Sequence, residues 1–216
     1  MVNNKSCGYV VSRESAGELE RNTAMGVEVE IKLKIDDRDK VAEALRQLGF
    51  EDGALVVETD TYYTAAHHDF AAGDEALRIR SVENLNTGEK SAAITYKGAK
   101  LDKVSMSRLE LETEIGDAFV GRSILEHIGF TPVPPVEKRR QYMRSGEVTA
   151  CVDAVKGLGD YLELEIITDS EESRPQALKK IENILQKIGY SMDDTTRISY
   201  LTMLLNKNKQ AEMSDI

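Results

Sequence analysis

The sequence predicts an α+β fold: about eight antiparallel strands curled into a barrel and covered by amphipathic helices. Three observations predict it. Residues 27–35, VEVEIKLKI, alternate without a break, with Val27, Val29, Ile31, Leu33 and Ile35 apolar and Glu28, Glu30, Lys32 and Lys34 charged. That is the period of a strand with one apolar and one charged face. The same alternation returns farther along, as in ALRIRSV (76–82), SRLELETEI (107–115) and DYLELEII (160–167). Finally, one unit recurs three times: an alternating acidic strand, an acidic N-cap region, an amphipathic helix and a Gly-aromatic stop at Gly49-Phe50, Gly129-Phe130 and Gly189-Tyr190. Helices of this kind cover the apolar faces of the strands. A sheet curled on itself turns the charged faces inward and makes a polar tunnel.

The elements follow in order. Residues 1–25 are polar and weakly periodic, and read as an N-terminal extension, with Met25 as a possible natural start. Asp36-Asp37 offers an N-cap, and VAEALRQLGF (41–50) has helical spacing that stops at Gly49. Strands are expected at 55–64, 76–82, 91–97 (closed by Gly98), 106–115, 136–144, 147–155 and 160–167. A polar loop at 65–75 carries His67 and His68, and Asn86-Thr87-Gly88 makes a turn. Helices are expected at about 117–128, 173–188 and 195–205. TPVPP (131–135) is an extended connector, and 207–216 is a polar, frayed tail. Residues 26–206 then form a single domain.

Composition narrows the function. A chain of 216 residues can bury a sizeable core. No stretch approaches the ~20 apolar residues of a membrane span, and the N-terminus lacks an apolar signal core. Cys7 and Cys151 have no metal or redox spacing, and point to a cytoplasmic compartment. A net charge of −10 argues against a nucleic-acid surface, yet leaves room for a basic cavity inside an acidic shell.

The inward faces carry the chemistry. They gather the acids Glu28, Glu30, Glu110, Glu112, Asp153, Glu163 and Glu165 with the bases Lys32, Arg78, Arg80, Lys97, Arg108, Lys138 and Arg140. Unpaired charge inside a protein is costly, so mutual pairing, divalent cations or an anionic ligand must complete the balance. Carboxylates suit hard cations such as Mg²⁺ or Mn²⁺, and Arg and Lys suit phosphate oxygens. Both sets in one lumen describe a site for a metal and a polyphosphate.

These residues also carry a family likeness. Glu28-Val29-Glu30-Ile31-Lys32 resembles the ExExK signature of the CYTH superfamily, the triphosphate tunnel metalloenzymes. It is followed in order by ALRIR (Arg78, Arg80), TYKG (Lys97), SRLELE (Arg108, Glu110, Glu112), VEKRRQY (Lys138, Arg140) and VDAVKGLGDYLELE (Asp153, Glu163, Glu165). RISYLTMLL resembles the C-terminal helix of the class IV adenylyl cyclase-like branch. The likeness covers about residues 26–206. It implies an eight-stranded tunnel that binds a triphosphate with one or two Mg²⁺ or Mn²⁺. Glu28, Glu30, Glu163, Glu165 and Asp153 are implied metal ligands. Lys32, Arg78, Arg80, Lys97, Arg108, Lys138 and Arg140 are implied phosphate ligands. Glu28, Glu30 and Lys32 form the implied catalytic core. Glu110 and Glu112 hold metal or partner the bases; Lys34 reaches phosphate or pairs with a glutamate.

The implied activity is conversion of ATP to cyclic AMP and pyrophosphate. The alternatives are a triphosphatase acting on tripolyphosphate, a nucleoside triphosphate or thiamine triphosphate, and a non-catalytic polyphosphate or nucleotide binder. The expected partner is a triphosphate-containing small molecule, without nucleic acid or membrane, and the chain is a monomer or homodimer. Other motifs read as structural. The histidines His67, His68 and His127 are surface residues, Cys151 is an inert thiol, Tyr62 and Tyr63 pack, and GLG (157–159) is a turn.

Overall fold

In the computed structural model, which describes residues 27–100 and 108–214, the two faces of the first strand look into different environments. The expected extension 1–25 lies outside the described residues, as does Cys7. Strand β1 (Val27–Lys34) leads to α1 (Arg38–Gln47), followed by β2 (Glu51–Ala65), β3 (Ala76–Asn84), β4 (Lys90–Lys100) and β5 (Arg108–Ile115). Helix α2 (Ala118–His127) and β6 (Phe130–Pro132) follow, then β7 (Val136–Ser145), β8 (Val148–Val155) and β9 (Gly159–Thr168). Helix α3 (Arg174–Lys187), β10 (Thr195–Thr196) and α4 (Tyr200–Ser214) complete the chain. The strands make one curled antiparallel sheet in the order β10-β1-β9-β8-β7-β2-β3-β4-β5, with β6 alongside β2. Eight of them are long, and the curl brings β1 and β5 near each other.

The main core lies outside the curl. Val29, Ile31 and Leu33 of β1, with Leu162, Leu164 and Ile166 of β9 and Ala150 and Val152 of β8, pack under Val41 and Leu45 of α1 and Ile181 and Leu185 of α3. Leu45, Ile181 and Leu185 are fully buried, and each contributes roughly 1.5–3 kcal/mol by leaving water. Strict alternation is what allows this: the residues that build the core leave the intervening charges on the other face. A second cluster, with Ile79, Tyr63 and Leu125, lies under α2.

Local chemistry starts and stops the helices. The Asp37 carboxylate accepts from the Asp39 and Lys40 amides, and Asp117 accepts from Phe119 and Val120. Gly49 and Gly189 take left-handed φ of 86° each, and the next residues, Phe50 and Tyr190, donate back to the Leu45 and Leu185 carbonyls. The repeated Gly-aromatic stop is therefore a helix terminator whose aromatic ring is returned to the core.

Some boundaries differ from expectation. Strand β4 passes through Gly98 to Lys100, because pairing with β5 resumes at Lys100↔Arg108 beyond a bulge. The segment predicted as the start of the last helix is extended instead. Thr195 and Thr196 pair with Leu33 and Lys32 at the edge of β1, and Ser199 then caps α4 by accepting from the Thr202 amide at 3.1 Å. Two β-branched threonines favour that edge pairing over a helical turn. The helix continues past residue 206 to Ser214. Among the described residues no helix is long and apolar enough to cross a membrane.

At one end of the curl the inner face turns apolar. Val136, Val155 and Tyr161 there pack with Tyr200 of α4, flanked by Tyr62, Leu201, Met203 and Leu204. Two residues farther along β7, β8 and β9 come Lys138, Asp153 and Glu163, so α4 closes the trough where its charged lining begins.

Candidate active site

The alternation delivers charged side chains from every long strand to the inside of the curl, most of them buried. Lys32, Glu58, Asp60, Arg78, Lys138, Arg140, Asp153, Glu163 and Glu165 are all 7 % exposed or less. Charges so far from water persist only when partnered, and the register supplies partners. On β7 and β8, Arg140 faces Asp153 and donates to it through two parallel hydrogen bonds of 2.7 and 2.6 Å; it also donates to Glu163. On β3 and β2, Arg80 faces Asp60 and makes the same fork at 2.6 and 2.8 Å, with Glu58 at 3.2 Å. Lys32 lies 3.0 Å from Glu163 and 3.4 Å from Glu30. Lys138 lies 3.0 Å from Glu58. Arg78 donates to Thr95 at 3.1 Å and lies 3.5 Å from both Asp60 and Glu112. Lys97 pairs with Glu110.

These pairs set protonation. Burial pushes the Glu58 carboxyl up, but Arg80 and Lys138 outweigh it and hold the group well below the usual range. Burial acts on Glu163 in the same sense, and Lys32 and Arg140 override it. Burial would lower Lys32, yet Glu163 and Glu30 keep it raised and charged. For Asp153 burial prevails over Arg140, and its carboxyl is raised.

One group of acids is balanced differently. Carboxylate oxygens of Glu28, Glu30 and Glu165 all lie within 4.8 Å of one another. Burial raises Glu28 well above the usual range, and the neighbouring Glu110 and Glu165 raise it further. Burial pushes Glu165 up to about 7, against Arg140 and together with Glu30 and Glu163. Three hard oxygen donors crowded so that two of them have raised carboxyls are the donor set a small divalent cation fits, because the cation would relieve the repulsion between them. Cys151, fully buried beside Glu165, has its thiol pushed up by burial, which suits an inert residue.

The predicted residues thus mostly share one lumen. Glu28, Glu30, Glu165, Lys32, Glu163, Arg140 and Asp153 form one group of contacts around it, Arg78, Arg80, Glu112 and Lys138 a second through Glu58 and Asp60, and Lys97 with Glu110 a pair of its own. Lys34 stands apart, exposed at the end of β1. Arg108 sits at the start of β5, donating to the backbone oxygens of Asp74 and Gly98. Sequence reasoning missed Glu58 and Asp60, though LVVETDTYYT places them on one face of an alternating strand, the signal used elsewhere. It placed Tyr142 on the face of Lys138 and Arg140 without a role, where its hydroxyl donates to Glu58 at 2.8 Å, and it missed Thr95 and also Tyr200, whose hydroxyl donates to Asp153 at 3.0 Å. Periodicity carries no signal for Tyr200, because only the docking of α4 brings it to the lumen.

A curled antiparallel sheet with buried cation–carboxylate forks inside and helices outside is the α+β architecture of the triphosphate tunnel proteins. The chain belongs to the CYTH domain family, whose signature matches residues 26–200. It is 38% identical over 177 residues to MJ0240 of Methanocaldococcus jannaschii, named as a candidate adenylate cyclase, covering 82% of this chain and 98% of that protein. It is 28% identical over 180 residues to the adenylate cyclase CyaB of Aeromonas hydrophila, covering 82% of this chain and 87% of that protein. The solved structure of PH1819 from Pyrococcus horikoshii superposes with a TM-score of 0.76 at 36% identity, covering 83% of this chain and 99% of that one.

Proposed function

We propose that this protein is a divalent-metal-dependent enzyme acting on a triphosphate compound, of the class IV adenylyl cyclase type, converting ATP to cyclic AMP and pyrophosphate. The observation that carries this reading is the pairing of a three-carboxylate cluster, Glu28, Glu30 and Glu165, with the buried cations Lys32, Arg78, Lys138 and Arg140 and the partly buried Arg80 and Lys97 in one lumen. The adenylate cyclase names of two relatives support the choice of reaction.

In this reading Glu28, Glu30 and Glu165 hold Mg²⁺ or Mn²⁺, with Glu110 beside them. The cation supplies neutralisation of phosphate charge. The buried Lys and Arg side chains bind the phosphate oxygens and hold the chain in line. The ribose 3′-oxygen then bonds to the α-phosphorus, its proton passes to solvent, and the bond from the α-phosphorus to the bridging oxygen breaks so that pyrophosphate leaves. Such transfer depends on positioning and electrostatics more than on a protein nucleophile. Asp153, expected as a metal ligand, has both oxygens taken by Arg140 and Tyr200, so its role here is to aim Arg140. Glu163 similarly aims Lys32 and Arg140. Glu58 and Asp60 aim Arg80, Lys138 and Arg78.

The test is a product analysis with ATP, tripolyphosphate and thiamine triphosphate, each with Mg²⁺ or Mn²⁺. Cyclic AMP and pyrophosphate from ATP, lost with EDTA, support the cyclase. Orthophosphate instead assigns the same site to a triphosphatase. Metal-dependent binding without any product would make it a binding module.

A further inference from the structure

Tyr200, the first residue of the closing helix, makes contacts that enter the charged layer from the apolar end. It is 6% exposed, and its ring meets Tyr161 edge-on at 5.1 Å. Its hydroxyl donates to Asp153 Oδ2, the same oxygen that takes an Arg140 bond at 2.6 Å. The Lys32 ammonium stands 4.4 Å from its ring centroid and that of Lys138 5.6 Å, both inside the ~6 Å range of a cation–π contact. One side chain therefore touches two cations directly and a third through Asp153.

We propose that Tyr200 is a positioning residue for the phosphate-binding cations: its hydroxyl fixes Asp153 and hence Arg140, and its ring seats Lys32 and Lys138. The reason is geometric. Lysine is a flexible point charge whose rotamers must be restricted before it can present a fixed ammonium group. Glu163 and Glu58 approach these ammonium groups from the strands. The Tyr200 ring adds a contact that leaves their N–H donors free for another acceptor, because a π-face takes charge without occupying a hydrogen bond of the phosphate kind. Helix α4 sets the ring in place through Leu204, which packs over Gly157, and through Lys207, which donates to the Gly157 carbonyl at 2.6 Å.

The inference rests on the triphosphate reading, and calorimetry of tripolyphosphate with Mg²⁺ separates the two. Wild type should bind. Tyr200→Phe keeps the ring and should weaken the Kd by about threefold, the loss of one hydrogen bond to a charged network. Tyr200→Leu should weaken it by about tenfold. In turnover, the change should fall on KM more than on kcat. Leu185→Ala, in the outer core away from α4, should lower the melting temperature while leaving the Kd at its wild-type value. Equal weakening by Leu185→Ala and Tyr200→Leu would mean general loosening of the fold and overturns the proposal. A wild-type Kd in Tyr200→Phe, which also decides should Tyr200→Leu not fold, overturns it as well. Wild type that binds no tripolyphosphate removes the triphosphate reading and the inference with it.

Discussion

Glu30 of β1 lies directly opposite Glu165 of β9, with Glu28 completing a triangle of carboxylates. Like charges facing each other across a ladder are destabilising, so a sheet that keeps them needs something to balance them. Two residues along the same strand pair, Lys32 faces Glu163 and the balance is internal. The contrast sets a base-acid pair two residues away from a cluster of three acids.

Stability without metal should fall as pH rises. Glu165 has its carboxyl raised to about 7 from an ordinary value of 4.5. The folded state therefore holds this proton more tightly than the unfolded chain. The resulting stability is fully present below pH 4.5 and lost as pH climbs through about 7, on the order of 3 kcal/mol for one such group. Glu28 is shifted in the same direction. Thermal melts in EDTA at about pH 5.5 and pH 8.5 should show the lower midpoint at the higher pH, and Mg²⁺ should raise the midpoint more at the higher pH, where no proton must leave. A midpoint that ignores pH and metal alike would sink the assignment of this cluster.

Glu165→Gln should separate stability from function. Removing one of three crowded carboxylates stabilises the metal-free protein by roughly 0.5–2 kcal/mol at alkaline pH. The same variant should lose most of the melting-temperature gain on adding Mn²⁺, and its metal-dependent turnover. Denaturation curves with and without Mn²⁺ read both effects together.

Asp60→Ala should do the opposite. Asp60 accepts the fork from the partly buried Arg80 and lies beside the buried Arg78 and Lys138. Its loss strands buried cations and should cost about 3–5 kcal/mol in urea unfolding. Added tripolyphosphate should restore part of that loss by pairing the same cations. No recovery on adding it would argue that these cations are closed to phosphate.

Leu185→Ala tests the outer core independently. Leu185 is fully buried between α3 and the sheet, away from the charged face. Its truncation should cost roughly 2–5 kcal/mol while leaving the KM for the triphosphate unchanged. A shifted KM would show that the helical layer tunes the lumen.

Much of this site was legible because a strand displays its residues at a period of two. Once Val29, Ile31 and Leu33 needed cover, Glu28, Glu30 and Lys32 had to share the other side, and the same logic placed Arg78, Arg140 and Glu163. Glu58 and Asp60 obeyed it too and were passed over, since β2 runs far longer than its alternating segment, from Glu51 to Ala65. The last helix was misplaced at its start because Thr195 and Thr196 find partners on β1, more than 160 residues earlier in the chain.

Local order thus settled which residues could face one another: helix caps, glycine stops and alternating faces all depend on neighbours within a few positions. Tertiary structure alone decided which carboxylates take an arginine fork and which gather beside other carboxylates. That choice follows from strand register and from where α4 seats Tyr200, and both depend on contacts between segments far apart in the chain.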